Sequence, residues 1–266
     1  MDRNKSAYKL KDFGPLYIIN LDEQPERWQW MKDQLDYWQV TNYERISAYD
    51  GREDDLSEII SGRYPDAVSS GEVGCVTSHL KSIKHWYETT DTEYGIFMED
   101  DCDFCSVKHW PFSWREFMSR MPYDWDCLQI AIINPRRLIA NIHPRYVDDF
   151  STACFVVNRR YAEKLMHFHC RGDKFKLDNG VRPRAVADDL IYNAGRTYAI
   201  PLFLYKLELG SSIHPEHIDA FHKTSREGLD HWWTNQSADM PIDKFFEYDT
   251  HESVSYTHLR AHETSY

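Results

Sequence analysis

Apolar residues along the chain follow two alternating patterns. Short apolar runs, of which PLYIIN at residues 15–20 is the first, are typical of buried strands. Between them lie longer segments in which apolar residues recur every three or four positions, as on one face of an amphipathic helix. The pattern predicts strands at residues 15–20, 43–46, 94–98, 127–133, 152–157 and 198–205, and helices at residues 25–40, 71–90, 112–121, 159–169 and 187–194.

The alternation of strands and helices predicts an α/β fold, with a mostly parallel sheet flanked by helices. In such sheets ligands bind beyond the carboxyl ends of the strands. Three polar clusters follow predicted strands, at residues 20–27, 99–103 and 134–137. We therefore expect these three loops to converge on one binding crevice.

Composition narrows the class of protein. The chain has 266 residues, 42% of them hydrophobic, which is enough for a sizeable core. Its 43 acidic and 31 basic residues give a net charge of −12, which argues against binding to nucleic acid or to anionic membranes. No apolar stretch approaches the roughly 18–20 residues of a transmembrane segment, and the polar start lacks the apolar centre of a secretory signal. We expect a cytoplasmic protein.

The six cysteines are too sparse for a disulfide scaffold in a chain of this length, so we expect them to be reduced and mostly buried. Cys102 and Cys105 have the spacing of a zinc-binding pair, but no second pair exists to complete such a site. Carboxylates surround them, which disfavours a reactive thiolate. We interpret both as packing residues.

A run of acids follows the predicted strand at residues 94–98. Glu99, Asp100 and Asp101 are consecutive, and Asp103 is one residue further on. Adjacent carboxylates repel one another and are costly to dehydrate. A divalent cation with oxygen ligands would relieve the repulsion and could hold a diphosphate. The alternative is a solvated acidic loop or a set of helix caps.

Three ordered blocks resemble glycosyltransferase family 25. They are YIINLDEQPERWQWMKDQL with ERISAYDG, GEVGCVTSHLKSIKHW, and GIFMEDDCDF, and a looser fourth block reads ACFVVNRRYAEKLM followed by ADDLIYNAG. The family includes bacterial lipooligosaccharide galactosyltransferases and procollagen galactosyltransferases. The resemblance implies the A-type glycosyltransferase fold, a nucleotide-binding α/β domain, with Mn²⁺ or Mg²⁺ as cofactor. The first loop is less basic than is common in the family, and the region after Tyr205 is unlike it.

The resemblance also implies roles for individual residues in donor binding. Residues of the first loop would lie against the nucleotide, Ser78 and His79 would line the pocket between donor and acceptor, and two acids would touch sugar or ribose. The donor-binding set is Asn20, Leu21, Arg27, Ser78, His79, Glu99 and Asp100. A guanidinium suits a diphosphate by its charge and forked donors. Alternatively, Arg27 is an ion-pair partner of nearby acids, and His79 is a hydrogen-bonded core residue.

By the same resemblance Asp101 is the direct metal ligand and Asp103 a less certain one. A histidine near the end of the domain often completes the metal site in this fold, which makes His214 and His217 candidates, with His222 close by. Neutral imidazole can bind a metal ion, but the sequence does not distinguish among the three.

Inverting transfer, which the resemblance implies, needs a base beside the acceptor hydroxyl. Asp188 and Asp189 are the candidates, and Asp189 is the favoured one because of its place in the acid-acid-Leu pattern. Both open an apolar helix, so helix capping is an alternative role.

The predicted function is a metal-dependent inverting transfer of galactose, or glucose, from a UDP-sugar to a hydroxyl acceptor on a glycan or a hydroxylysine-like side chain. A non-catalytic nucleotide-sugar or carbohydrate-binding module and a metal-dependent phosphohydrolase are the alternatives. We expect one domain at residues 1–253, with a donor-binding half at 15–135 and an acceptor half at 136–253. Residues 254–266 resemble the translation of a sequencing adapter.

Overall fold

The computed structural model describes residues 4–62, 68–177, 186–210, 213 and 217–248. His214 and the tail at 254–266 lie outside these residues. The strands are β1 (Leu16–Asn20), β2 (Tyr43–Ser47), β3 (Tyr94–Glu99), β4 (Cys102–Asp103), β5 (Cys127–Ala131), β6 (His143–Pro144), β7 (Cys154–Asn158), β8 (Cys170–Arg171), β9 (Lys174–Phe175) and β10 (Thr197–Tyr205). The helices are α1 (Pro25–Trp38), α2 (Ser70–Thr89), α3 (Trp114–Ser119), α4 (Arg159–His169), α5 (Ala187–Tyr192) and α6 (Lys223–Asn235).

A large mixed sheet forms the centre of the molecule, in the order β2-β1-β3-β7-β5-β10-β4, with β6 paired to β10. Strands β2, β1, β3, β5 and β10 run in one direction, whereas β7 is antiparallel to both of its neighbours. Strands β8 and β9 form a separate pair. The predicted α/β fold with a mostly parallel, helix-flanked sheet is therefore confirmed.

The strands read as continuous apolar runs because the sheet is covered on both faces. Leu16 and Ile18 of β1 belong to one hydrophobic cluster, while Tyr17 and Ile19 belong to another on the opposite face. Helices α1, α3 and α6 pack on the first cluster, and α2, α4 and α5 on the second. No helix in the described part of the chain is both long and apolar enough to cross a membrane.

The predicted elements agree with the structure except at their ends. Helix α2 begins one residue earlier than expected because Ser69 and Glu72 form a capping box: the Ser69 hydroxyl accepts from Glu72 N at 3.2 Å and Ser69 N donates to Glu72 Oε2 at 2.8 Å. Helix α3 is shorter than predicted, and α6 was not predicted. All six cysteines are free. Three of them are buried and three are half-buried, so the expectation of mostly buried cysteines holds for only half of them: the buried ones are Cys102, Cys127 and Cys154.

Candidate active site

An open cleft of about 670 Å³ lies at the carboxyl ends of β1 and β3, beside the first half of α2. All seven predicted donor-binding residues line this cleft, and so does Asp101. The sequence therefore predicted correctly which side chains come together, because β1 and β3 are parallel neighbours whose last residues, Asn20 and Glu99, end at the same edge of the sheet.

One wall of the cleft is held in place by close backbone packing between the loop at residues 49–51 and α2. A Cβ atom at Gly51 would lie 1.9 Å from Ser70 O, and one at Gly74 would lie 2.5 Å from Gly51 N, so both positions require glycine. Ser78 secures the same loop, because its hydroxyl accepts from Tyr49 N at 2.8 Å and donates to Gly74 O at 2.7 Å. The structure thus gives Ser78 a clear role in shaping the cleft wall.

Arg27 is the cationic partner of the acid run. Its Nη2 lies 2.5 Å from Asp100 Oδ1 and 3.2 Å from Asp101 Oδ2, and Asn20 Nδ2 donates to Asp100 Oδ2 at 2.6 Å. Burial opposes the charge of the guanidinium, but Asp101 and Asp100 raise the pKa of Arg27. The ion pair considered as an alternative for Arg27 is therefore present, but it is buried within the cleft.

Asp101 is the least compensated of the acids. Its Oδ1 is buried and has no hydrogen-bond partner among the described residues. Burial, with the charge of Glu99 added, raises the pKa of Asp101 to about 7, although Arg27 opposes the rise. A buried, unshared carboxylate oxygen that lines a cleft suits a metal ligand, so Asp101 fits the predicted role.

His79 and Glu99 form a half-buried hydrogen bond, with 3.0 Å between Nε2 and Oε1. The Thr152 hydroxyl also donates to Glu99 Oε1, at 2.8 Å, and the His79 ring packs against Phe155 with 5.4 Å between ring centres. Burial would raise the pKa of Glu99, but the hydrogen bond from His79 lowers it below the ordinary value. His79 is thus a hydrogen-bonded buried residue, as the alternative role proposed, and it also lines the cleft.

The two candidate bases differ in their surroundings. Asp188 Oδ1 lies 3.7 Å from Arg145 Nη2. Burial raises the pKa of Asp188 to about 6, and the charge of Glu99 contributes to the rise. Asp189 accepts a hydrogen bond from Asn193 Nδ2 at 3.0 Å, on its own helix. The charge of Glu99 acts on Asp188, which favours Asp188 over the preferred Asp189, although neither residue belongs to the described lining of the cleft. Neither caps the helix, since its N-cap is Val186.

Among the described residues, the remaining metal candidates are Asp103 and His217, and neither lines the cleft. Asp103 pairs with Arg226, with 3.1 Å between Oδ2 and Nη2, and it accepts from Cys105 N at 2.8 Å. His217 packs near Phe221 and His222, with ring centres 5.1 and 6.4 Å away. The structure therefore does not bring these two residues to Asp101.

The third predicted polar cluster, residues 134–137, lies away from the cleft. These residues line a second cavity with His143, Asp149 and α6, so the expected convergence of three loops on one crevice is wrong for this loop. Strand β7 lies between β3 and β5 in the sheet and separates the carboxyl end of β3 from that of β5.

Several residues of the site did not stand out in the sequence. Cys75 lines the cleft one helical turn before His79, a spacing that the block GCVTSH already displays. Gln129 is wholly buried, and its Nε2 donates to the carbonyl oxygens of residues 149, 150 and 151 at 3.1, 2.9 and 3.0 Å, while Oε1 accepts from Arg145 Nε at 3.0 Å. This network holds the segment that carries Thr152, and no sequence pattern marks it.

The protein is a mixed α/β protein whose large, mostly parallel central sheet is flanked by helices and has a cleft at the carboxyl ends of its strands. This architecture is that of a glycosyltransferase fold. The family model of glycosyltransferase family 25, described as an LPS biosynthesis protein, matches residues 13–110. This stretch contains β1 to β4 and the cleft acids Glu99, Asp100 and Asp101, and the match confirms the resemblance to the family. It supports a glycosyltransferase role for the chain. No curated protein matches the sequence significantly.

Proposed function

We propose that this protein transfers galactose, or glucose, from a UDP-sugar to a hydroxyl group of a glycan acceptor, with inversion and with the help of Mn²⁺ or Mg²⁺. The observation that carries the proposal is the cleft at the ends of β1 and β3, where Arg27 faces Asp100 and Asp101 and where Asp101 Oδ1 is unshared. The family's description as an LPS biosynthesis protein favours a glycan over a protein side chain as acceptor.

The donor is bound by groups that suit a nucleoside diphosphate. Arg27 has a buried Nε without a hydrogen-bond partner among the described residues, so the guanidinium has donor capacity left for a phosphate oxygen. Asp101 would hold the divalent ion, with its free Oδ1 as ligand, and Glu99 and Asp100 are near enough to accept from sugar or ribose hydroxyls. When bound, the ion offsets the charge of the departing diphosphate.

Transfer with inversion is one displacement. The acceptor oxygen forms a bond to the anomeric carbon as the bond from that carbon to the diphosphate oxygen breaks, and the acceptor's proton passes to a carboxylate. We assign that base to Asp188, whose raised pKa suits proton uptake near neutral pH and which interacts with Glu99. Arg145 Nη2 lies 3.7 Å from Asp188 Oδ1, and its charge opposes the rise in the pKa of this carboxyl.

A donor-hydrolysis screen tests the proposal. The full chain is incubated with UDP-galactose, UDP-glucose and UDP-N-acetylglucosamine, with Mn²⁺ or with chelator, and UDP release is measured. We expect Mn²⁺-dependent release from the galactose or glucose donor, reduced at least about 100-fold in Asp101→Asn. Asp91→Asn, an exposed acid outside the cleft, serves as control.

The alternatives give different outcomes. Binding of the UDP-sugar without turnover, even with added glycan acceptors, would indicate a binding module. Hydrolysis of simple phosphate esters would indicate a phosphohydrolase, and equal UDP release with Mn²⁺ and with chelator would overturn the metal dependence.

A further inference from the structure

Three residues of the cleft have side chains of metal-ligating type outside the predicted Asp101 site. The ligand atoms of Cys75, His79 and Glu99 lie within 4.8 Å of one another. Cys75 and His79 are four residues apart on α2 and therefore on the same helix face, and Glu99 is the last residue of β3. We propose that these three side chains form a binding site for one borderline-soft divalent cation, with Zn²⁺ as its type. The site does not depend on the transferase function proposed above.

The ligand set decides the class of ion. A thiolate and an imidazole favour softer metals such as zinc, whereas manganese and magnesium favour carboxylate and water ligands. Three protein ligands with access from a cleft match zinc sites that keep a fourth position open. The ligands of a tetrahedral zinc ion are about 3.5 Å apart. Shifts of about 1 Å from the observed spacing would therefore close the site around an ion.

Supporting contacts fix two of the ligands. The Thr152 hydroxyl donates to Glu99 Oε1 at 2.8 Å, and the ring of Phe155 packs against His79, which is only 1% exposed. The Thr152 hydrogen bond is a contact of the kind that orients a metal ligand and raises metal affinity, and the Phe155 ring restricts the orientation of the His79 ring. The 3.0 Å approach of His79 Nε2 to Glu99 Oε1 places two ligand atoms side by side before any ion is bound.

Charge balance also favours a cation here. Among the described residues, the side chains around Glu99 include more carboxylates than guanidinium groups, and a divalent ion would offset the excess. The carboxylates are Glu99, Asp100, Asp101 and Asp188, and the guanidiniums are Arg27 and Arg145. Because the thiol of Cys75 and Nε2 of His79 bind metal only without their protons, binding releases protons to solvent.

Cobalt spectroscopy on the full, reduced chain tests the proposal. The metal-free protein is titrated with Co²⁺, whose thiolate bond gives a charge-transfer absorption in the near ultraviolet that oxygen and nitrogen ligands do not give. We expect this band to saturate at one Co²⁺ per chain and to disappear on addition of Zn²⁺. Cys75→Ser should lose the band and bind Zn²⁺ at least about 100-fold more weakly. The matched control is Cys170→Ser, which changes another half-buried free thiol and should keep the band.

The competing outcomes are distinct. A Co²⁺ spectrum without the thiolate band, or a band that persists in Cys75→Ser, would overturn the site, and loss of binding only in Asp101→Asn would assign the ion to oxygen ligands. If Cys75→Ser does not fold, alkylation of the unchanged protein replaces it: Zn²⁺ should protect Cys75, and equal labelling with and without Zn²⁺ would refute the proposal. Neither readout involves a nucleotide sugar. A negative result for the zinc site therefore does not test the transferase proposal, and a negative donor assay does not test the zinc site.

Discussion

The guanidinium of Arg27 lies 2.5 Å from the carboxylate of Asp100, and each side chain is only 9% exposed. Arg27 belongs to the first turn of α1 and Asp100 directly follows β3, so the pair joins the two loops that form the cleft. A buried pair of this kind matters most when one partner is removed, because the other charge is left without compensation.

Replacing Arg27 should therefore destabilise the protein strongly. We expect Arg27→Met to lower the free energy of unfolding by about 3 kcal/mol, since Asp100 and Asp101 would then be buried without a cation. Urea denaturation at neutral pH measures the change. The control is Arg120→Met, which breaks a solvent-exposed pair with Asp243 and should change the free energy by at most about 1 kcal/mol. Equal effects of the two substitutions would show that the Arg27 pair is not a significant source of stability.

Asp101 should affect stability and activity in opposite directions. Its Oδ1 has no donor within the described residues, and its charge adds to that of Glu99 and Asp100. Asp101→Asn removes that charge, so we expect the metal-free protein to gain about 1–2 kcal/mol of stability while metal-dependent UDP release falls at least about 100-fold. Thermal unfolding in chelator and the donor assay measure the two effects. A residue with a purely structural role would lose stability instead.

The two acids at the start of α5 should differ in their effect on transfer. Asp188 interacts with the acid cluster and Arg145, whereas Asp189 is hydrogen-bonded to Asn193. We expect Asp188→Asn to lower kcat for transfer to a glycan acceptor by about 100-fold or more, and Asp189→Asn to change it only slightly. Donor affinity, measured by UDP-sugar titration, should be unchanged in both. A larger loss in Asp189→Asn would restore the original preference for Asp189.

The part of the cleft at the ends of β1 and β3 could be predicted from the sequence because it is built from local patterns. Asn20 and Glu99 each end an apolar run, and adjacent parallel strands bring such ends together. The order of strands in the sheet is not encoded in these patterns. The insertion of β7 between β3 and β5 therefore could not be foreseen, and it is the reason that residues 134–137 line a different cavity.

Long-range partners explain the other differences. The family resemblance suggested Asp103 as a metal ligand, but its partner is Arg226, which is 123 residues further along the chain. Helix α6, which carries Arg226, buries Leu229 and Trp233 at helical spacing, so a signal for this helix was present in the sequence. The sequence contained no signal for the pairing of Arg226 with Asp103, because periodicity does not specify which acid a distant arginine contacts.

Gln129 should hold the segment at residues 145–153 in place. Its buried amide donates to three carbonyl oxygens of that segment and accepts from Arg145. Gln129→Leu removes all of these bonds. Phe150 O still accepts from Ile133 N and Ser151 O from the Tyr192 hydroxyl, but Asp149 O and Arg145 Nε lose this partner. We therefore expect a loss of about 2 kcal/mol of stability and faster hydrogen exchange in residues 145–153 than in β1. Exchange measured by mass spectrometry checks the location. Gln29→Leu, which removes an exposed hydrogen bond to Asp33, should leave exchange in the segment unchanged, and uniform acceleration across the sheet in Gln129→Leu would contradict the proposed role.

Asp149 should make stability depend on acid pH. Asp149 is 2% exposed, and its carboxylate accepts from Tyr146 N at 2.8 Å and Asn134 Nδ2 at 3.0 Å and lies 3.3 Å from His143 Nε2. Burial opposes its ionisation, but the interactions with His143, Asn134 and Tyr146 outweigh burial and lower the pKa of Asp149 below the ordinary 3.8.

Because the folded-state pKa of Asp149 is the lower one, its contribution to stability is fully present above about pH 4 to 5 and is lost as the pH falls through the folded-state pKa. We expect Asp149→Asn to be less stable by about 1–3 kcal/mol at neutral pH and to show a shallower decline in unfolding free energy below about pH 4. Urea denaturation at a series of pH values measures both curves. Asp243→Asn, which removes an exposed acid, should decline in parallel with the unchanged protein, and a parallel decline in Asp149→Asn as well would show that this carboxylate does not titrate differently on folding.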